Sequence, residues 1–474
     1  MQKLVVSRLA ALDQPSARES GMVLAMPRVV LDPARDFDDN VSMWAATAAP
    51  APEFPTLQGD VTADVVIIGA GFTGMSTAYH LARRFPDKHI VVLEAKRVGN
   101  GASGRSGGMA LNWINGVQAT TPERAKRVYG ATRAGLDWIA KVIDEHRLNV
   151  RFHRIGCFDA YTDNKRAEEA HASAERLASW GIPVEYLSGA QLQKVTNAQG
   201  VVGGVLDPGT GQLHGLDLLR GLAPVIAGYG VRIHEQSPVI AIEEGQTHVV
   251  RTPHGSVRSP AMVLATNGYT GKLGYFSTGI FPLHSHVIAT EPLPKERWQE
   301  LGWGDNAGFC DDMDRIAYTS MSADGRLLIG GGGNGAYSYA YGGCTAFPTD
   351  AALQYEFVHG VLKKYFPKAK DVRIAQRWTG TLGITMTRVC SIGVTGEYKN
   401  IYHGLGYSGH GVVLANLAGQ VICDLYSDNH EPWRDLPFYQ RKLDGIPPEP
   451  LRWVGYQVYT KLTGRSPRKK LADD

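Results

Sequence analysis

Residues 64–94 constrain this chain more than any other stretch. Asp64-Val-Val-Ile-Ile-Gly69 is an aliphatic run of the kind that forms a fully buried strand, and Phe72 to Arg84 carries helical periodicity. Ile90-Val-Val-Leu-Glu94 is a second buried run. Strand, helix and strand in so short a span predict a βαβ unit, and at its first turn lies Gly69-Ala-Gly71-Phe-Thr-Gly74, a G-x-G-x-x-G pattern. Gly69 allows the tight turn, Gly71 lets a pyrophosphate approach the backbone, and Gly74 lets helix and strand pack closely. The helix N-terminus offers N–H groups and a favourable dipole to the phosphates. Glu94, twenty residues beyond Gly74, is placed to accept hydrogen bonds from a ribose diol. An acidic residue there disfavours a 2′-phosphate, which leaves NAD or FAD.

Composition excludes several other classes. The 474 residues are 43% hydrophobic and 20% charged, too apolar for wholesale disorder. A net charge of +3 gives no case for nucleic acid as a partner. No apolar run reaches the roughly 18–20 residues that cross a bilayer, and the first residues lack a signal-peptide core. The five cysteines, Cys157, Cys310, Cys344, Cys390 and Cys423, are scattered and never form C-x-x-C, so neither a disulfide framework nor a zinc site is expected. A soluble, cytoplasmic protein with reduced thiols fits best.

Residues 1–60 are Pro- and Ala-rich and read as an extended N-terminal lead-in, with 1–40 loosely ordered. Helices are predicted over 121–148, 165–181, 216–229, about 349–365 and 412–425. Val239-Ile-Ala-Ile, a hairpin turn at Thr252-Pro-His-Gly-Ser and a strand at Ala261–Thr266 extend the Rossmann-like sheet. Strand-like segments dominate 281–345 as a separate α+β layer. His284 and His286 share one face of a strand, but no carboxylate or cysteine completes a metal set, and none is expected.

A second glycine-rich loop, Gly101-Ala-Ser-Gly-Arg105-Ser-Gly-Gly108, follows the second strand. An NAD-binding unit does not require it, and read with the first loop it implies a longer cofactor. It resembles the corresponding loop of the D-amino-acid oxidase/glycine oxidase-like flavoproteins, with Ser106 where the family often has Asn. The resemblance spans about 42–430. Its further blocks are Ala265-Thr-Asn-Gly268, Ala289-Thr-Glu-Pro292, Ser322-Ala-Asp-Gly-Arg-Leu-Leu-Ile-Gly-Gly331, Trp378-Thr-Gly380, Ile384-Thr-Met-Thr-Arg388 and Gly406-Tyr-Ser-Gly-His-Gly411. It implies an α/β fold: a Rossmann-like FAD-binding domain, discontinuous over 61–114, 207–275 and 378–430, interleaved with an α+β substrate domain made of 115–206 and 276–377. A helical, basic tail over 431–474 completes the chain.

The resemblance also implies an FAD site. From the first loop it takes Gly69, Gly71, Phe72, Thr73 and Gly74, then Glu94 and Ala95. From the second it takes Gly101, Ala102, Ser103, Gly104, Arg105, Ser106, Gly107, Gly108 and Met109. Val239, Ala265, Thr266 and Gly383 follow, and the last block supplies Gly406, Tyr407, Ser408, Gly409, His410 and Gly411. The helix opened by this block would point its N-terminus at the flavin's pyrimidine edge. Some relatives attach the flavin to a cysteine, but the matching position falls near Thr381–Gly383, and Cys390 lies too close to the block. Non-covalent FAD is therefore expected, with Cys390 as a small buried hydrophobe.

Family members take a hydride from a carbon beside an amine nitrogen; water hydrolyses the imine, and oxygen reoxidises the flavin to give hydrogen peroxide. Orientation and delivery of the neutral amine account for most of the catalytic demand. Sarcosine-type relatives grip a substrate carboxylate with two cations where this chain has approximately Leu111 and Val413, which favours an amine without an adjacent carboxylate. A polyamine derivative or another secondary amine fits, in a slot formed by Met109, Trp113, Tyr318, Trp378 and Tyr407. Trp378, Tyr407 and Arg326 are the catalytic candidates, Arg326 as a positive charge for oxygen reduction or for an acidic far end of the substrate. A quinone or carrier as electron acceptor, and a non-catalytic flavoprotein, remain as rivals. In the first of these the basic stretch Arg465–Lys470 and the helical face preceding it, from Leu451 to Leu462, would touch a membrane or protein partner.

Overall fold

The computed structural model describes residues 29, 40–50, 52–304, 306–313, 315–343 and 352–463. The expectations for residues 1–40, apart from Val29 and Asn40, for Cys344 and for Arg465–Lys470 fall outside them. The strand Val65–Ile68, the helix Phe72–Arg84 and the strand Ile90–Leu93 form the βαβ unit. Both strands belong to a six-stranded sheet in the order 232–234, 90–93, 65–68, 261–264, 401–405, 391–395, parallel except for the last pair.

Alternation along the buried strands assigns their two faces. Val65, Ile67 and Val92 pack with the helices Phe72–Arg84, Gly215–Gly228 and Gly411–Tyr426, whereas Val66, Ile68, Val91 and Leu93 join a second core with Val250 and Val257. That second core corrects one expectation. The segment after Val239 does not extend the Rossmann-like sheet. Ala241–Glu243, His248–Thr252 and Gly255–Ser259 form a meander that pairs with Gly59–Thr62 as a separate four-stranded sheet. Antiparallel hairpin strands with one buried face cover the larger sheet without joining it.

The remaining strands build a nine-stranded mixed sheet around Phe281–Thr290, with its own core containing Phe309, Ile329, Tyr365 and Phe366. Ile374–Ile384 pairs along nearly the whole length of Phe281–Thr290, so residues 378–384 hydrogen-bond to this sheet and not to the six-stranded one. Met109–Ala110, Gly211–Leu213 and Phe152–His153 form a small third link between the two parts.

The lead-in expectation also needs correction near residue 43. Met43–Thr47 is a short helix, and Met43 and Trp44 are buried in the main core. The Trp44 indole N–H donates to the Ser106 carbonyl (2.7 Å), and the Ser42 hydroxyl donates to the Gly104 carbonyl (2.7 Å). Burial of two large apolar side chains outweighs the local Pro/Ala composition.

His214 caps the helix Gly215–Gly228: its Nδ1 accepts from the Asp217 N–H (3.1 Å). Burial pushes its pKa down from 6.5 to about 4. The unfolded chain therefore takes up this proton first, so the stabilisation is complete above pH 6.5 and is lost as pH falls toward 4. His214→Asn, which retains a capping acceptor without titrating, is expected to flatten the acid limb of a stability-versus-pH curve, by up to about 3 kcal/mol at its low end. An unchanged acid limb in urea denaturation would contradict this role.

Candidate active site

The first glycine loop is closed by backbone contact. Gly69 has φ +103°, and a Cβ on Gly74 would lie 1.9 Å from the Gly69 carbonyl oxygen. The helix Phe72–Arg84 begins at Gly71 with no side chain of its own capping it. The cap comes from the second loop: the Ser103 hydroxyl oxygen accepts from the Phe72 N–H (3.0 Å), and a Cβ on Gly71 would stand 2.8 Å from it. Glu94 accepts from the Ala70 and Lys96 N–H groups (2.9 and 3.0 Å). Burial raises its pKa, and the backbone donors oppose that rise.

These groups line one cavity of about 690 Å³. Of the residues named from the sequence, Gly69, Gly71, Phe72, Thr73, Glu94, Ala95, Gly101, Ala102, Ser103, Arg105, Ser106, Gly107, Gly108 and Met109 line it. So do Val239, Ala265, Thr266, Gly383, Tyr407, Ser408, Gly409, His410 and Gly411. The helix Gly411–Tyr426 opens onto the same space through Gly411, Val412 and Ala415, again without a side-chain cap. Two helix N-termini, one capped only at Phe72 and the other without a side-chain cap, face one cavity and suit an anionic, elongated ligand.

Gly74, Gly104, Gly406, Trp378 and Arg326 are not among the lining residues. Gly74 and Gly104 act one step behind it: a Cβ on Gly104 would sit 2.3 Å from the Gly99 carbonyl oxygen. Trp378 is wholly buried, its indole N–H donating to the Arg105 carbonyl (2.9 Å), so it supports the second loop from behind. Arg326 pairs with Asp324 (2.8 Å) and reaches Gln376 (3.3 Å), at a turn outside the cavity. Trp113 likewise turns away, its indole N–H on the Val117 carbonyl (2.8 Å). Tyr407 ties two elements together: its hydroxyl shares a 2.7 Å hydrogen bond with that of Thr73. Arg105 is buried and donates to Asn100 O (2.8 Å), Thr379 O (3.1 Å) and Asn40 Oδ1 (2.5 Å), which locks its loop to the long strand Ile374–Ile384.

Sequence reasoning missed several lining residues. Asn267 lies within a quoted block; its Oδ1 accepts from the Gly406 N–H (2.9 Å) and joins that block to the last one. Arg388, at the end of the block Ile384–Arg388, also lines the cavity, as do Arg315, Tyr337, Arg452, Tyr456 and Tyr459, which no motif marks. The last three belong to or adjoin the face of the helix Leu451–Thr463 that covers the cavity. That helix, offered as a partner contact only in the rival reading with a quinone or carrier, turns one face inward and leaves Leu451, Val454, Val458 and Leu462 exposed. No helix among the described residues is long and apolar enough to cross a membrane.

Tyr318 closes the opposite wall. Its ring lies where a Cβ on Gly107 would be 2.8 Å away, and its hydroxyl shares a 2.9 Å hydrogen bond with Ser285. Burial raises its pKa, so the phenol stays protonated at neutral pH. His286 is buried, bonded to Thr379 (3.1 Å) and Ser338 (3.0 Å), and held neutral with its pKa pushed down to about 3. Its sequence neighbour His284 reaches Thr381 (3.3 Å). Cys390 is buried away from the cavity, and burial pushes its thiol up to about 12.

The chain matches the family model described as FAD dependent oxidoreductase (DAO) over residues 64–425. It is 32% identical over 412 residues to the gamma-glutamylputrescine oxidoreductase of Escherichia coli K12, covering 84% of this chain and 92% of that one. To the glycine oxidase of Geobacillus kaustophilus it is 23% identical over 392 residues, covering 79% and 96%. The crystal structure of glycine oxidase from the same organism superposes with a TM-score of 0.67 at 19% identity, over 81% of this chain and all of that one. The two helix ends, the Ser103 hydroxyl and the Glu94 carboxylate are the donor and acceptor set that FAD's pyrophosphate and ribose require. Motif, fold, cavity chemistry and coverage agree, and the chain belongs to the DAO family of FAD-dependent oxidoreductases, whose relatives here act on amines and amino acids.

Proposed function

We propose that this enzyme oxidises the carbon–nitrogen bond of a polyamine-derived amine of the gamma-glutamylputrescine kind and returns its electrons to molecular oxygen, with hydrogen peroxide as product. The observation that carries the reading is the continuity of the cavity, which runs from the two glycine loops to an enclosure of Leu111, Leu283, Tyr318 and Tyr337. The 32% identity to the Escherichia coli relative supports the substrate class. Bound FAD supplies the hydride acceptor, and its reoxidation by oxygen yields the peroxide.

The chain's own work is positioning. Apolar walls exclude water and favour the neutral amine, whose nitrogen lone pair forms the C=N bond as hydride leaves the adjacent carbon. Water then hydrolyses the imine to a carbonyl compound and ammonia, or an amine where the substrate is a secondary amine. Tyr318, kept protonated by burial, orients the substrate by hydrogen bonding and takes no proton. Leu111 lines the cavity where sarcosine-type relatives would place a cation, so a carboxylate next to the reacting carbon has no partner there. The four described cysteines are free, which supports a reducing, cytoplasmic compartment.

Anaerobic titration of the purified holoenzyme with gamma-glutamylputrescine, putrescine, sarcosine and D-alanine tests the reading. Bleaching of the visible flavin absorption by the first, and peroxide formation when air is admitted, are expected. Bleaching that air does not reverse would replace oxygen with a quinone or carrier. No bleaching by any amine would refute amine oxidation.

A further inference from the structure

Charge is distributed unevenly around the cavity. Glu94 is the only carboxylate among the described residues that line it, against four arginines: Arg105, Arg315, Arg388 and Arg452. Arg105 belongs to the second glycine loop. The other three come from elements that no phosphate-binding motif explains.

Arg315 is the most deeply placed of these three, 7% exposed, with its guanidinium 5.0 Å from the centre of the Tyr459 ring. The backbone that follows it is fixed. The neighbouring Ile316 carbonyl accepts from the Tyr337 hydroxyl and the Gly332 N–H (both 2.9 Å), and the Ala317 N–H donates to Asp311 (2.9 Å). Three residues further on, the Tyr318 ring packs against Gly107 of the second loop, so the Arg315 backbone is at most about 10 Å from that of the residue that meets the loop. A guanidinium keeps its charge at any working pH, and its planar fork matches a carboxylate.

We infer that Arg315, covered by Tyr459 of the C-terminal helix, is the specificity residue that binds a carboxylate at the end of the substrate remote from the oxidised amine. This assignment rests on the amine-oxidation reading and adds to it a substrate class: an amine tethered through several bonds to an anionic group. The role offered to Arg326 from sequence thus passes to Arg315, because Arg315 lines the cavity and Arg326 lies outside it. Tyr459 acts as a positioning residue through its contact with the guanidinium.

The test uses the holoenzyme and two ligands that carry no oxidisable amine, N-butylglutaramate and its methyl ester, with binding read by calorimetry. Wild-type protein is expected to prefer the acid by about tenfold or more. Arg315→Ala is expected to erase that preference while leaving the ester's affinity within about threefold. Arg315→Lys, which keeps the charge and loses the fork, should retain part of the preference, and it decides the matter if the alanine variant fails to hold FAD. Equal binding of acid and ester by wild type, or a preference that survives in both variants, overturns the assignment. Acid preference without bleaching by gamma-glutamylputrescine would sink the proposed reaction and keep the anion subsite; bleaching without acid preference would do the reverse.

Discussion

Gly74→Ala is expected to yield protein without flavin. The added Cβ would lie 1.9 Å from the Gly69 carbonyl oxygen, and the obstacle is backbone, which no side-chain rotation relieves. The helix Phe72–Arg84 would have to move away from the strand Val65–Ile68, separating Gly71 from Ser103 and breaking the cap on Phe72. Overpacking of this kind costs about 3 kcal/mol or more. The readouts are visible absorption of the purified protein and the urea midpoint. Gly130→Ala is the control: Gly130 is exposed in the helix Pro122–Glu145 and its added Cβ meets nothing within 4 Å, so a gain of up to about 1 kcal/mol with full flavin content is expected. Stoichiometric FAD and an unchanged midpoint in Gly74→Ala would refute the close-packing role.

Trp44→Ala should destabilise the fold by about 3–5 kcal/mol and release flavin as well. Trp44 is 1% exposed, stands edge-on to His214 with ring centres 4.9 Å apart, and occupies the space beside Gly108, where a Cβ would be 2.7 Å from its ring. Its indole N–H also holds the Ser106 carbonyl. Removing the ring therefore empties a site directly behind the second glycine loop. Trp44→Phe keeps most of the packing and loses the hydrogen bond, with an expected loss of about 1–2 kcal/mol and little flavin release. If the alanine variant kept both its denaturation midpoint and its flavin, the short helix Met43–Thr47 would be an ornament of the core and not a support for the loop.

Legibility in the sequence follows the range of the interactions. The βαβ unit was readable because its signals are local: aliphatic runs set strands, periodicity set the helix Phe72–Arg84, and glycine spacing set the turn between them. The hairpin at Thr252–Gly255 was readable for the same reason, but which sheet it joined was not, since that depends on Gly59–Thr62 pairing across almost two hundred residues. The fate of residues 43–47 was hidden by a Pro/Ala-rich neighbourhood, and only the burial of Trp44 against the second loop reveals it.

In the cavity the same division holds. Glu94 could be named from spacing and Ser103 from the resemblance of the second loop, because each acts within or beside a glycine motif. Arg315 and Arg452 could not, because an arginine in a loop or on a helix outside any motif carries no local sign of where it points. Trp378 and Arg326 show the converse: both lie in blocks that look functional, yet one supports Arg105 from behind and the other secures a turn.

By itself, then, the sequence determined the dinucleotide loops, the order of the elements around them and the class of cofactor, since short-range sterics and hydrophobic periodicity are written residue by residue. Only the tertiary structure decided which side chains enclose the substrate space. Its walls come from strands and a helix more than a hundred residues apart, and long-range packing, not local propensity, sets which of their faces meet.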